Sequence, residues 1–121
     1  MPKAILIVDD HSFMRTAVRT FLENETEFAV CGEAVDGLEA VQMAEALQPA
    51  LIILDFSMPR MSGVQAAPIL RKILPTVPII LFTLHRDMLA TAHLDMIGID
   101  AVVSKSDDLS ILAGQARRLL T

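Results

Sequence analysis

The feature that most constrains this chain is a rhythm of short aliphatic runs without a polar break. Ala4-Ile5-Leu6-Ile7-Val8, Leu51-Ile52-Ile53-Leu54, Pro78-Ile79-Ile80-Leu81-Phe82 and Ala101-Val102-Val103 each have a strand's length, and none alternates polar with apolar residues. Runs of that kind suit strands covered on both faces, which is the condition of a parallel sheet between two helical layers. A weaker run, Phe28 to Ala34, reads as a shorter strand near an edge.

Helical spacing fills the gaps. From His11 or Ser12 to about Asn24, Met14, Ala17, Val18, Phe21 and Leu22 form one apolar stripe. Asp36-Gly37-Leu38-Glu39 starts a second helix, with a capping residue and an acid three places on; its predicted stripe is Leu38, Val41, Ala44 and Leu47, and Pro49 stops it. Ser62 and Gln65 form a capping box for a helix from Gly63 to about Leu74, which Pro68 should kink. A fourth helix is expected over roughly Arg86 to Ile97, ended by Gly98. The last runs from about Asp107 to Leu120 on Leu109, Leu112, Ala116 and Leu119. Gly114 in its middle costs about 1 kcal/mol relative to alanine and so predicts a close packing neighbour. Five strands alternating with five helices imply right-handed βαβ crossovers and a doubly wound α/β fold.

Composition narrows the class. The 121 residues make one domain, 1–121, and 53% hydrophobic content with few aromatics predicts an aliphatic core. No apolar run approaches the ~20 residues of a membrane span, and Met1-Pro2-Lys3 before a short strand is no signal peptide. A lone cysteine, Cys31, excludes an internal disulfide and fits a reducing cytoplasm. A net charge of -5 argues against a nucleic-acid-binding basic face.

If the strands are parallel, their carboxyl ends share one edge, where open α/β sheets bind ligands. That edge would carry Asp9 and Asp10, Asp55, Thr83 and Lys105. Taken singly, Asp55 is a turn or cap residue, Asp9-Asp10 cap a helix, and Thr83 is an ordinary β-branched strand residue. Lys105 resists such a reading, because a cation just before a helix is disfavoured by the dipole. Together, three crowded carboxylates call for a cation, and an all-oxygen set suits Mg²⁺. Carboxylate nucleophile, Mg²⁺, ammonium and hydroxyl are the parts needed to accept a phosphoryl group.

These residues resemble a known family. A hydrophobic strand ending in Asp9-Asp10, the loop Asp55-Phe56-Ser57-Met58-Pro59-Arg60-Met61-Ser62-Gly63, then Thr83 and Lys105 are similar to the receiver domain of bacterial two-component response regulators. Asp10-His11 and Lys105-Ser106-Asp107-Asp108-Leu109 look most like the NarL/FixJ (LuxR-type) subfamily. The resemblance spans essentially the whole chain and implies a flavodoxin-like (βα)5 fold with sheet order 2-1-3-4-5. It implies that Asp55 accepts a phosphoryl group from a sensor histidine kinase or a small donor such as acetyl phosphate, without turnover catalysis. Asp10, Asp55 and the Ser57 backbone carbonyl would ligate Mg²⁺, with Asp9 acting mainly through water. Lys105 would contact the phosphoryl oxygens, and Thr83 would couple the site to the face of the fourth helix, last strand and last helix. Transcriptional output would come through a helix-turn-helix domain absent from this chain, so DNA would be met only indirectly, and no membrane is implied. NarL/FixJ-type receivers can dimerise on phosphorylation through the first and last helices, which draws attention to Ile111 and Gly114. The kinase would dock against the first helix, where Met14 is either a contact or a member of the core stripe.

Several residues depart from the family pattern. Val102 stands where an aromatic rotamer switch is usual, so a constitutive, phosphorylation-independent or stand-alone interaction module is the alternative. Ser106 replaces a proline and predicts a trans bond. Ser57, His85 and Val102 are the positions at which such a site is tuned, although His85 reads equally as an exposed loop histidine. His93 reads as a helix residue, His11 as a helix-start residue beside the acids, and Met58 and Met61 as packing. Two other classes fit worse. A haloacid-dehalogenase-like phosphohydrolase needs a second acid two places after its nucleophile, where Ser57 stands. A flavodoxin-like cofactor binder needs a phosphate loop that Asp9-Asp10 would repel.

Overall fold

The computed structural model describes residues 2–84 and 97–121. The expected fourth helix, with His85 and His93, lies outside the described residues. The described elements are β1 (Ala4–Val8), α1 (Ser12–Glu25), β2 (Ala29–Ala34), α2 (Gly37–Leu47), β3 (Leu51–Leu54), α3 (Gly63–Ile73), β4 (Ile79–Thr83), β5 (Ala101–Ser104) and α4 (Leu109–Leu120). All strand pairs are parallel and the order is β2-β1-β3-β4-β5, as expected.

The unbroken aliphatic runs have the predicted cause. On β1, Leu6 and Val8 join one core while Ile5 and Ile7 join the other. The same division holds on β3, with Ile52 and Leu54 opposite Leu51 and Ile53. One core is closed by Ala40 and Ala44 of α2 and Ala66, Ala67 and Leu70 of α3. The second is closed by Val18 and Leu22 of α1 and Leu112, Ala113 and Ala116 of α4. With both faces buried, a polar residue inside a strand would lack a partner, so in β1, β3, β4 and β5 polarity is confined to strand ends. No helix among the described residues is long and apolar enough to cross a membrane.

Three expectations need correction. β2 is at the edge but is six residues long, not shorter than its neighbours. Its register on β1 shifts between Ile5 and Leu6, leaving Cys31 as the extra residue, and a bulge of that kind blurs a strand's sequence pattern. In α2 the buried face is Gly37, Ala40 and Ala44; of the predicted stripe Ala44 is buried and Val41 packs against the core, whereas Leu38 and Leu47 are exposed. Small residues let the helix sit close to the sheet and α3, so size, not hydrophobicity, chose the face. Gly114 has no close neighbour among the described residues: a Cβ there would meet nothing of them within 4 Å.

The caps hold as predicted. Asp36 accepts a hydrogen bond from Glu39 N (2.9 Å). Ser62 Oγ accepts from Gln65 N (3.2 Å) while Gln65 Oε1 accepts from Ser62 N (3.0 Å). Pro68 lies inside α3, no peptide among the described residues is cis, and Met58 and Met61 pack against the core.

Candidate functional site

The carboxyl edge of the sheet gathers the predicted residues. Asp9 follows β1, Asp55 follows β3, Thr83 ends β4 and Lys105 follows β5; Asp9, Asp55 and Thr83 are buried. Lys105 Nζ lies 2.6 Å from Asp9 Oδ2 and 3.3 Å from Asp55 Oδ2, with its side chain only 5% exposed. The lysine therefore bridges two buried carboxylates across the sheet. Its backbone N–H donates to the Thr83 carbonyl (2.9 Å), which fixes the start of the β5–α4 loop against β4. Asp10, His11, Asp55, Ser57, Leu84 and Lys105 line a concavity of about 180 Å³ over this group.

The β3–α3 loop is held around Asp55 by backbone bonds. Asp55 N donates to Val8 O (2.9 Å), Phe56 N to Asp55 Oδ1 (2.8 Å) and Gly63 N to Phe56 O (2.9 Å). Gly37 N donates to Met61 O (3.1 Å), tying the loop to the start of α2.

Burial and the neighbouring Asp9 charge push the Asp55 carboxyl up to about 6, although Lys105 and the Phe56 N–H oppose them. The folded protein therefore holds a proton between about pH 3.8 and about 6 that the unfolded chain has released, so stability falls as pH rises through that window. The loss integrates to about 3 kcal/mol. Asp55→Asn has no such charge to bury, so in metal-free buffer its advantage over wild type should grow across this window. Urea unfolding at both ends of the window measures it, and two parallel stability curves would contradict the electrostatic reading.

Sequence reasoning missed two residues here. Arg15 Nη1 donates to the Asp9 carbonyl (2.7 Å) and its Nε to Glu33 Oε1 (3.0 Å), bracing the end of β1. Arg60, in the left-handed region at φ 66°, sends Nε to Asp36 Oδ2 (2.7 Å). The Glu39 N–H and the Arg60 guanidinium hold the Asp36 carboxyl below the usual range. These partners lie 18 and 24 residues away in the chain, and no local pattern announces them. His11 stands at the start of α1 beside the acids, as expected, with its Nδ1 3.2 Å from Asp10 Oδ1.

Other expected residues are placed less centrally. Ser57 is exposed and lines the concavity. Val102 is half-buried beside Leu81 and packs against the α2–α3 core. Met14 packs against the α1–α4 core, the second of its two readings, while its neighbour Phe13 is 84% exposed.

The donor set fits a hard cation. One ligand atom from each of Asp9, Asp10, His11 and Asp55 lies within 4.8 Å of every other, and three of the four are carboxylates.

The model of the response regulator receiver domain matches residues 5–116. The chain belongs to that family. A receiver domain accordingly sits here on the fold expected for it. Its relatives include the response regulator protein VraR of Staphylococcus saprophyticus, 32% identical over 119 residues, covering 98% of this chain and 56% of VraR. A LuxR-family two-component response regulator from an Aurantimonas species superposes with TM-score 0.91 at 27% identity, over 99% of this chain and 86% of that one. Response regulator TrrA of Thermotoga maritima, solved with Mg²⁺ and BeF, gives TM-score 0.87 at 30% identity, over 98% and 99% of the two chains. The chain spans between 17% and 56% of the length of the curated relatives it matches, which also include protein-glutamate methylesterases. The LuxR-type likeness seen in the motifs thus stands beside a methylesterase likeness.

Proposed function

We propose that this receiver domain takes a phosphoryl group onto Asp55 and passes the change to a partner surface. The observation that carries this reading is the meeting of Lys105 with Asp55 at the mouth of an acid-lined concavity. With its carboxyl near 6, Asp55 is mostly ionised at neutral pH and is a competent nucleophile. An Asp55 oxygen attacks phosphorus, the bond to the donor's histidine nitrogen or acetyl oxygen breaks with its electron pair, and an acyl phosphate remains. Mg²⁺, held by Asp10, Asp55 and the Ser57 backbone carbonyl with Asp9 behind them, would neutralise charge on the transferring group. Lys105 then turns from Asp9 toward a phosphoryl oxygen, and the Thr83 hydroxyl donates to another. The domain is consumed and reset; it is not a turnover enzyme.

The donor is a sensor histidine kinase, and Phe13, exposed in the first turn of α1, replaces Met14 as the side chain offered to it. The setting is cytoplasmic, and output runs through a helix-turn-helix domain elsewhere in a longer protein. Phosphorylation favours a homodimer through α1 and α4, where Ile111 and Gly114 are exposed. Val102, packed in place of an aromatic ring, favours a second reading, a receiver fold that binds its partner irrespective of phosphorylation.

Beryllofluoride with Mg²⁺, a mimic of the acyl phosphate, separates the two. The thermal midpoint should rise in wild type and stay in Asp55→Asn, and self-association should appear only in the wild-type complex. Equal association with and without beryllofluoride supports the second reading; no midpoint response removes the first.

A further inference from the structure

The acid cluster contains an imidazole that Mg²⁺ chemistry does not require. His11 Nδ1 lies 3.3 Å from Asp9 Oδ1 and 3.2 Å from Asp10 Oδ1. The backbone N–H of His11 donates to Asp9 Oδ1 (2.9 Å), which pins the residue beside that acid. Among the described residues the ring makes no other hydrogen bond or ion pair. His11 is the N-cap of α1 with extended backbone (φ -94°, ψ 111°), makes no side-chain cap bond, and is 70% exposed.

The separations point to shared ligation. Charge-assisted N–H···O bonds close to about 2.7–2.9 Å, so these contacts are long for a tight ion pair. Adjacent ligands of a six-coordinate ion, each about 2.1 Å from it, stand about 3 Å apart. His11 Nδ1 and Asp10 Oδ1 are spaced for that arrangement, and all four candidate ligand atoms fall within 4.8 Å of one another. With the proton on Nε2, the Nδ1 lone pair is available to an ion.

We propose that His11 Nδ1 is a nitrogen ligand of the metal in this site, making the domain selective for borderline ions such as Ni²⁺ and Co²⁺ over Mg²⁺. Imidazole adds little to a Mg²⁺ site but strengthens binding of later divalent ions, whose affinities climb from Mn²⁺ to Ni²⁺. The inference rests on the metal site proposed above and adds a specificity residue to it.

The test titrates untagged wild type, His11→Gln and Asp55→Asn with Mg²⁺ alone and with Ni²⁺ alone by calorimetry. The side chain of His11 is exposed and caps nothing, so His11→Gln retains the fold, checked by its unfolding midpoint. His11→Gln should lose at least about tenfold in Ni²⁺ affinity, one ligand bond's worth at about 1.4 kcal/mol, while Mg²⁺ affinity changes less than about twofold. In the Mn²⁺ complex, the electron spin echo of wild type should carry ¹⁴N modulation that His11→Gln lacks. Equal losses for Ni²⁺ and Mg²⁺ would overturn the proposal, since they would make His11 a hydrogen-bonding brace for the acids. Unchanged Ni²⁺ affinity without ¹⁴N modulation would overturn it too. A Mg²⁺ titration insensitive to Asp55→Asn would instead defeat the underlying metal site, a distinguishable outcome.

Discussion

Gly63→Ala is expected to destabilise the fold by about 3 kcal/mol or more and to weaken Mg²⁺ binding at the acid cluster. A Cβ built on Gly63 would lie 2.0 Å from the Asp55 carbonyl oxygen and 3.0 Å from its carbon. Both contacts are backbone, so no rotamer change relieves them; the start of α3 must move off the end of β3. Two observations make that movement costly. Gly63 N donates to Phe56 O (2.9 Å), and Ser62 and Gln65 close a reciprocal cap one residue earlier. Helix propensity alone predicts the opposite sign, since alanine is favoured over glycine inside a helix by about 1 kcal/mol. The close approach outweighs propensity. Moving α3 also opens the loop that carries Ser57, which is why metal affinity should fall with stability. Urea unfolding and Mg²⁺ titration of the variant read both effects, and a variant as stable as wild type would refute this account of the loop.

Lys105→Met should lose about 3–5 kcal/mol at neutral pH without metal, because it strands two buried carboxylates. Methionine keeps most of the stem's volume, so packing is a minor part of the loss. Lys105 Nζ is the cation found between Asp9 and Asp55, and both acids are buried. Lys105 also restrains the rise of the Asp55 carboxyl; without it the Asp55 proton is held still more firmly, and acidification restores part of the loss. Mg²⁺ supplies the missing positive charge, so it should raise the unfolding midpoint of the variant more than that of wild type. A variant of undiminished stability, or one indifferent to Mg²⁺, would show that the lysine is not the counter-charge of this cluster.

The chain order of the fold was legible because each buried strand needs apolar residues on both faces and each loop needs its own punctuation. Asp36 and Ser62 announced their helices through side chains that bond their own backbone. Asp9, Asp55, Thr83 and Lys105 were legible as a group once parallel strands put their ends together. What stayed hidden depended on partners far along the chain or on size. Leu38 and Leu47 carry more hydrophobicity than Ala40, yet that alanine is buried because its small side chain admits a close approach. Arg60 acts on Asp36 and Arg15 on Glu33 through tertiary contacts with no local signal. Gly114 looked like a packing glycine, but a Cβ there would meet none of the described residues within 4 Å. His11 was seen beside the acids and its chemistry was overlooked, because three carboxylates already accounted for a metal.

The central claim is that Asp55 is the atom-level target of phosphoryl transfer. Intact-mass measurement after incubation with acetyl phosphate tests it most directly, with wild type and Asp55→Asn each in Mg²⁺ and in chelator. The expected result is a gain of one phosphoryl group in wild type with Mg²⁺ only, mapped to Asp55 by peptide mass after borohydride reduction. An equal gain in Asp55→Asn, or no gain in wild type with Mg²⁺, would contradict it.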